Sequence, residues 1–219
     1  MDTMIAKNVE EIRRTIPEGV TLVGVTKYHD VAETQAVVDA GVHDLGENRV
    51  QDLLDKIDQI NGEVRWHFIG HLQTNKVKYL IGKVHLIHSI HSLKLLHTVD
   101  RESAKQGVVT DILLQFNLAE EATKSGFKAG EFEAACREAE ACRNVRVRGL
   151  MAMGPMTENT EEIRKIFKQL KRMYDTMLDE YHGGENDIDS LSMGMTDDYP
   201  IAIEEGSSIV RIGRKIFKR

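Results

Sequence analysis

Two rhythms of apolar positions alternate along the chain. Ile5, Val9, Ile12 and Ile16 recur at helical spacing and predict an opening helix. Thr21-Leu22-Val23-Gly24-Val25 follows as a short apolar run, the pattern of a strand buried on both faces. A helix over 31–40 stops at Gly41, a residue suited to the left-handed position beyond a helix end. A strand over 43–46 leads into a helix with the stripe Val50, Leu53, Leu54 and Ile57. The alternation continues with a strand over 66–69 and a helix over 72–81, then a strand over 84–90 and a helix over 93–106. Strands over 111–117 and 146–153 flank a helix over 130–143. Ile163, Ile166, Phe167, Leu170, Met173, Met177 and Tyr181 form the clearest amphipathic stripe. The last strands, 190–195 and 208–212, are separated by a short helix after Thr196. Residues 118–130 are the longest expected loop.

Eight strands, each feeding a helix, predict a parallel sheet, and eight units with no segment left over favour closure. The expected fold is α/β: a single (β/α)8 TIM-type barrel spanning 1–219, with an open doubly wound sheet as its rival. A length of 219 residues suits one barrel with a full core.

Charge and composition narrow the partners. A net charge of −6 argues against non-specific nucleic-acid binding, which needs a basic face. No run reaches the roughly 18 apolar residues of a membrane span. Met1-Asp2-Thr3-Met4 lacks the layout of a signal peptide. Cys136 and Cys142 are six residues apart on an expected helix, so they point to different faces and cannot bridge. The expectation is a reduced, cytoplasmic protein.

In a parallel barrel the chemistry lies where strands end. Those ends carry Lys27, Glu47, Asn48, His71, Ser89, Asn117, Thr196, Arg211 and Gly213. Lys27 directly follows an apolar run, which would desolvate its ammonium and favour the neutral amine that forms a Schiff base. Gly213, followed by Arg214 and Lys215, offers close backbone approach and N–H groups to an anion. Thr196 reads as an N-cap before Asp197 and Asp198. His85, His88 and His91 alternate faces on a strand and cannot converge on a metal ion, so no metal site is expected.

The ordered motifs then identify a relationship. Val23-Gly24-Val25-Thr26-Lys27, Gly46-Glu47-Asn48-Arg49-Val50-Gln51 and the segment from Trp66 to Lys76 come in sequence. Lys124-Ser125-Gly126-Phe127, Arg148-Gly149-Leu150-Met151, Ser192-Met193-Gly194-Met195-Thr196 and Val210-Arg211-Ile212-Gly213 follow. The set resembles the pyridoxal phosphate homeostasis protein family across essentially the whole chain. The resemblance implies a barrel similar to the N-terminal domain of alanine racemase, binding pyridoxal 5′-phosphate (PLP) as a Schiff base on Lys27. By it, Asn48 lies close to the cofactor, Met193 and Thr196 line the site, and Arg211 donates to the pyridine nitrogen. Gly213 and Arg214 would supply phosphate-binding N–H groups. Arg214 stands where the family usually has Thr or Ser, and Tyr28-His29-Asp30 departs from the usual segment after the lysine.

The implied role is a non-enzymatic carrier and regulator of PLP supply, a monomer with apo PLP-dependent enzymes as possible recipients. An amino-acid racemase is the first alternative. It requires a second β domain, of which the sequence shows no counterpart, and Arg211 against the pyridine nitrogen weakens the cofactor as an electron sink. A class I Schiff-base aldolase is the second; such enzymes carry the lysine on a later strand, where this sequence has Asn117, Met153 and Met195.

Overall fold

The computed structural model describes residues 3–121, 123–181 and 187–218. Met1 and Asp2, read above for a leader, and the outer limits of the 1–219 domain lie outside the described residues. Eight parallel strands close a barrel in chain order, with β8 returning to pair with β1. They are β1 (Thr21–Val25), β2 (Asp44–Glu47), β3 (Arg65–Phe68), β4 (Leu86–Ile90), β5 (Thr110–Phe116), β6 (Val145–Ala152), β7 (Ser190–Ser192) and β8 (Ile209–Ile212). The helices are α1 (Thr3–Arg13), α2 (Val31–Asp39), α3 (Val50–Ile57), α4 (Leu93–Gln106), α5 (Phe132–Ala141), α6 (Thr160–Glu180) and α7 (Tyr199–Glu204). The expected closed barrel is the one observed, and the open sheet is ruled out.

Strand alternation divides the core in two. Outward residues such as Leu45, Phe68, Ile112, Leu150 and Val210 join the apolar stripes of the helices in one large cluster. Fully burying each such side chain stabilises the fold by roughly 1.5–3 kcal/mol. Inward residues Val23, Leu86, Leu113, Met151 and Ile209 form a separate, smaller cluster inside the barrel. Other inward positions are polar and buried, among them His67, His88, Ser192 and Arg211.

Three local expectations are corrected. The segment expected as a helix over 72–81 is a 3₁₀ turn, Thr74–Tyr79. The strand expected over 190–195 ends at Ser192; Met193 N still donates to Ile209 O and Gly194 O accepts from Arg211 N, and Gly194, at φ 94°, turns the chain toward α7. The helix expected after Thr196 begins at Tyr199, with Asp198 in the cap position. The Asp198 carboxylate accepts from Met195 N at 2.5 Å and closes the turn ahead of the helix. Cys136 and Cys142 are both free, and burial, aided by nearby carboxylates, pushes their thiols up to about 12 and about 11. Among the described residues no helix is long and apolar enough to cross a membrane.

Candidate functional site

One cavity of about 170 Å³ opens at the carboxyl end of the barrel, with Lys27, Asn48, Thr196, Arg211, Gly213 and Arg214 in its lining. Val25, Ile69, Met151, Met153 and Met195 make its apolar walls. A larger open cleft, about 1010 Å³, adjoins it through Met195 and Arg214 but includes neither Lys27 nor Arg211. Lys27 and Arg211 therefore meet in the smaller space.

β1 delivers Lys27. Thr26 is buried and Lys27 is exposed, so the expected desolvation of the ammonium by its own strand is corrected. Its Nζ lies 5.6 Å from the centroid of the Tyr28 ring. Tyr28 has φ 69°, a left-handed conformation that costs an aromatic residue roughly 1–3 kcal/mol and persists only where neighbours enforce it. Those neighbours are identifiable. His29 N donates to Thr26 O at 3.1 Å, and the His29 ring stacks on Phe217 at 3.4 Å. Asp30 then caps α2, accepting from Glu33 N at 2.8 Å, while Glu33 accepts from Asp30 N at 3.3 Å.

β2 delivers Asn48, whose Oδ1 is buried with no hydrogen-bond partner among the described residues. The ends of β1 and β2 are tied by a buried ion pair that sequence reading missed. Lys56 Nζ, from α3, donates to Glu47 Oε1 at 2.6 Å and to Thr26 O at 2.8 Å. Thr26 Oγ1 donates to the same carboxylate oxygen at 2.7 Å. A basic residue nine positions past an acidic strand end was the only signal available.

β8 delivers Arg211 into the floor of the cavity. Its Nη1 donates to Ser192 Oγ at 2.5 Å and its Nη2 to Ala152 O at 3.1 Å. Burial lowers its pKa to about 10, against the pull of Asp198, so it remains a cation at neutral pH. Burial likewise raises the Asp198 carboxyl, with the bond from Met195 N opposing.

Two turns form the mouth. After β8 the chain folds back, Ile216 N donating to Gly213 O at 2.8 Å and Phe217 N to the same oxygen at 3.3 Å. Among the described residues the N–H groups of Thr196, Arg214 and Lys215 have no acceptor. The Arg214 side chain pairs with Asp197 across the mouth, both groups being largely exposed. A Cβ on Gly213 would lie 3.0 Å from Val25 O and 3.1 Å from Val25 Cβ, so its absence lets this turn pack closely against β1.

Six of the seven expected site residues thus share the cavity. Met193 does not. Its neighbour Ser192 points into the barrel, so alternation sends the Met193 side chain outward, where it is fully buried in the helix-side core. Met195, past the turn at Gly194, takes the lining position.

The family of the alanine racemase N-terminal domain matches residues 3–218. A pyridoxal phosphate homeostasis protein of Aquifex aeolicus is 39% identical over 197 residues, covering 90% of this chain and 85% of that protein. One of Synechocystis sp. is 32% identical over 209 residues, covering 94% of each. The solved structure of PipY from Synechococcus elongatus, with PLP bound, superposes with a TM-score of 0.90 at 28% identity, covering 97% of this chain and 99% of that one. Alanine racemase of Clostridium difficile shares the fold, with a TM-score of 0.81 at 14% identity over 98% of this chain and 59% of that one. The chain belongs to the alanine racemase N-terminal domain family, and within it to the pyridoxal phosphate homeostasis proteins.

Proposed function

We propose that this chain binds PLP in the strand-end cavity, attached covalently through Lys27, and holds it for delivery to apo-enzymes rather than for catalysis. PLP brings an aldehyde, a pyridine nitrogen and a phosphate dianion, and the cavity offers a counterpart to each. The observation that carries the reading is the convergence of an accessible lysine, a buried arginine and unpaired backbone N–H groups on one small apolar-walled space.

Lys27 supplies the amine. Arg211, fixed by Ser192 and Ala152, presents a donor toward the pyridine end. The N–H groups of Thr196 and Arg214 face the phosphate, where charge-assisted hydrogen bonds contribute about 1.5–3 kcal/mol each. Asn48, which lines the same space, brings an amide whose Nδ2 can donate to a ligand oxygen.

The same lining supports a carrier over a racemase. Racemisation needs a proton donor and a proton acceptor on opposite faces of the substrate carbon. Among the described residues lining the cavity, the ionisable side chains are Lys27 and two arginines, so no carboxylate, imidazole, thiol or phenol stands opposite the lysine. Arg211 only donates, and gives no acid to the pyridine nitrogen. Exposure of Lys27 and Arg214 at the mouth favours release to a recipient.

Borohydride reduction of the PLP-loaded protein should fix the cofactor on Lys27, read by peptide mass. Lys27→Ala should lose both the adduct and the visible absorbance. An adduct of undiminished occupancy on another lysine in that variant would overturn the assignment. Alanine should be racemised negligibly by the wild type; turnover at ordinary enzyme rates, on the order of 1–10³ per second, would overturn the carrier reading. Transfer of bound PLP to an apo-enzyme should outpace spontaneous release when free PLP is trapped.

A further inference from the structure

A chain of buried hydrogen bonds runs from the floor of the cavity to the opposite face of the barrel. It starts with Arg211 Nη1 donating to Ser192 Oγ at 2.5 Å. Ser192 Oγ lies 2.9 Å from His88 Nδ1, and His88 Nε2 lies 2.8 Å from His67 Nδ1. His67 Nε2 lies 3.0 Å from Asp44 Oδ1, which Arg65 Nε also reaches at 2.7 Å. Arg211, Ser192, His88, His67 and Asp44 are all buried.

The two ends dictate every proton between them. A guanidinium can only donate, and an ionised carboxylate can only accept. Burial would raise the Asp44 carboxyl, but hydrogen bonds from His67 and Arg65 outweigh it and hold the group well below the usual carboxylate range. Ser192, accepting from Arg211, gives its own proton to His88 Nδ1. His88 then carries its proton on Nε2 and gives it to His67 Nδ1. His67 in turn carries its proton on Nε2 and gives it to Asp44. One assignment satisfies all four links, with both imidazoles neutral. A proton added to His67 would force His88 to the other tautomer, and Ser192 would receive two donors and lose the acceptor for its own proton.

Electrostatics agree with the geometry. Burial holds the His88 pKa well below its usual value, and the Arg211 cation acts in the same direction. At the face away from the cavity Arg65, His85, Asp111, Arg148 and Asp189 surround the relay, and at the cavity end Asp198 faces Arg211.

We infer that Ser192, His88 and His67 form a polarised relay that locks both imidazoles as Nε2–H tautomers and positions Arg211 for the pyridine end of the ligand. The ligand end of this inference rests on the PLP reading above; the tautomers do not. Each link passes polarisation upward from Asp44, so Ser192 Oγ meets the guanidinium as a stronger acceptor than an isolated hydroxyl. Arg211 is thereby held in one orientation with its remaining N–H groups free for the cavity.

Nitrogen-15 NMR of the whole chain without added ligand should find His67 and His88 neutral and protonated at Nε2 between pH 6 and 8, windows chosen around the usual histidine value. A proton on Nδ1 of either ring, or an imidazolium at pH 7, would overturn the relay whatever the protein binds. PLP affinity then tests the positioning. His88→Asn keeps an oxygen near the Nδ1 position to accept from Ser192, whereas His88→Leu keeps none. Leu should weaken PLP binding by about tenfold or more relative to Asn, with a shifted absorbance maximum of the bound cofactor. Equal affinities and spectra in the wild type, Asn and Leu proteins would remove the positioning role. Failure of PLP to bind the wild type would instead sink the proposed function and leave the tautomer result standing.

Discussion

Arg214 stands at the mouth of the cavity, and its surroundings show how an arginine is accommodated there. Its guanidinium is engaged by Asp197 at the mouth, so the pair adds almost no net charge there, while the Arg214 N–H remains free toward the cavity. Exposed pairs of this kind are worth little to stability. Their single members still matter to a dianion a few ångströms away. Asp197→Ala should therefore tighten PLP relative to pyridoxal, and Arg214→Thr should weaken it, each by at most about fivefold at low salt. The double variant should return near the wild-type ratio. Fluorescence titrations with both ligands at two ionic strengths would check this; a loss well beyond tenfold in Arg214→Thr would mean the guanidinium itself holds the phosphate. At this scale the sequence was informative about Lys27, which a strand end and a motif both mark. It was not informative about the Lys27 environment, because the step from buried Thr26 to exposed Lys27 depends on the left-handed turn at Tyr28.

The ends of β1 and β2 act as one element through the Thr26–Glu47–Lys56 cluster. Thr26 immediately precedes Lys27 and Glu47 immediately precedes Asn48, so this cluster sets the spacing of two cavity residues. Removing one member of a buried pair leaves the other charge uncompensated, at a cost of about 3–5 kcal/mol, whereas replacing both is often nearly neutral. Lys56→Met alone should lower the unfolding free energy by about that amount in urea titrations. Adding Glu47→Gln should recover more than half of the loss, since the amide oxygen still accepts from Thr26. A Lys56→Met protein as stable as the wild type would show that water reaches the pair. Helices were legible from their stripes, but elements whose ends depend on a partner were not. β7 stops at Ser192 because Gly194 turns the chain, and α7 starts late because Asp198 is spent on the preceding turn.

The closed barrel was legible as a whole because apolar strand-like runs alternate with helix-period segments along almost the whole chain. What lies inside the barrel was not, since the lumen is assembled from residues far apart in sequence: His88 meets Ser192 across a separation of 104 positions. Polar residues alternating with outward apolar ones, as at His67 between Trp66 and Phe68, were the available sign of an inward polar layer. That layer makes a prediction for the whole molecule. Burial lowers the pKa of His88 strongly. A histidine whose folded pKa lies below its unfolded value of about 6.5 refuses a proton that the unfolded chain accepts. Stability is therefore fully present above that pH and declines as pH falls below it, by about 1.4 kcal/mol per pH unit for each proton refused. Asp44 adds a second loss at stronger acid. Its folded pKa is depressed, so its contribution is present above the unfolded value of about 3.9 and disappears as pH falls further. Urea midpoints should thus be level from pH 8 to 7 and then fall steadily from about pH 6.5 downward. His88→Asn should flatten much of the first slope and leave the Asp44 loss in place. A wild-type midpoint unchanged between about pH 7 and 5 would mean that the folded protein takes up protons inside the barrel as readily as the unfolded chain does.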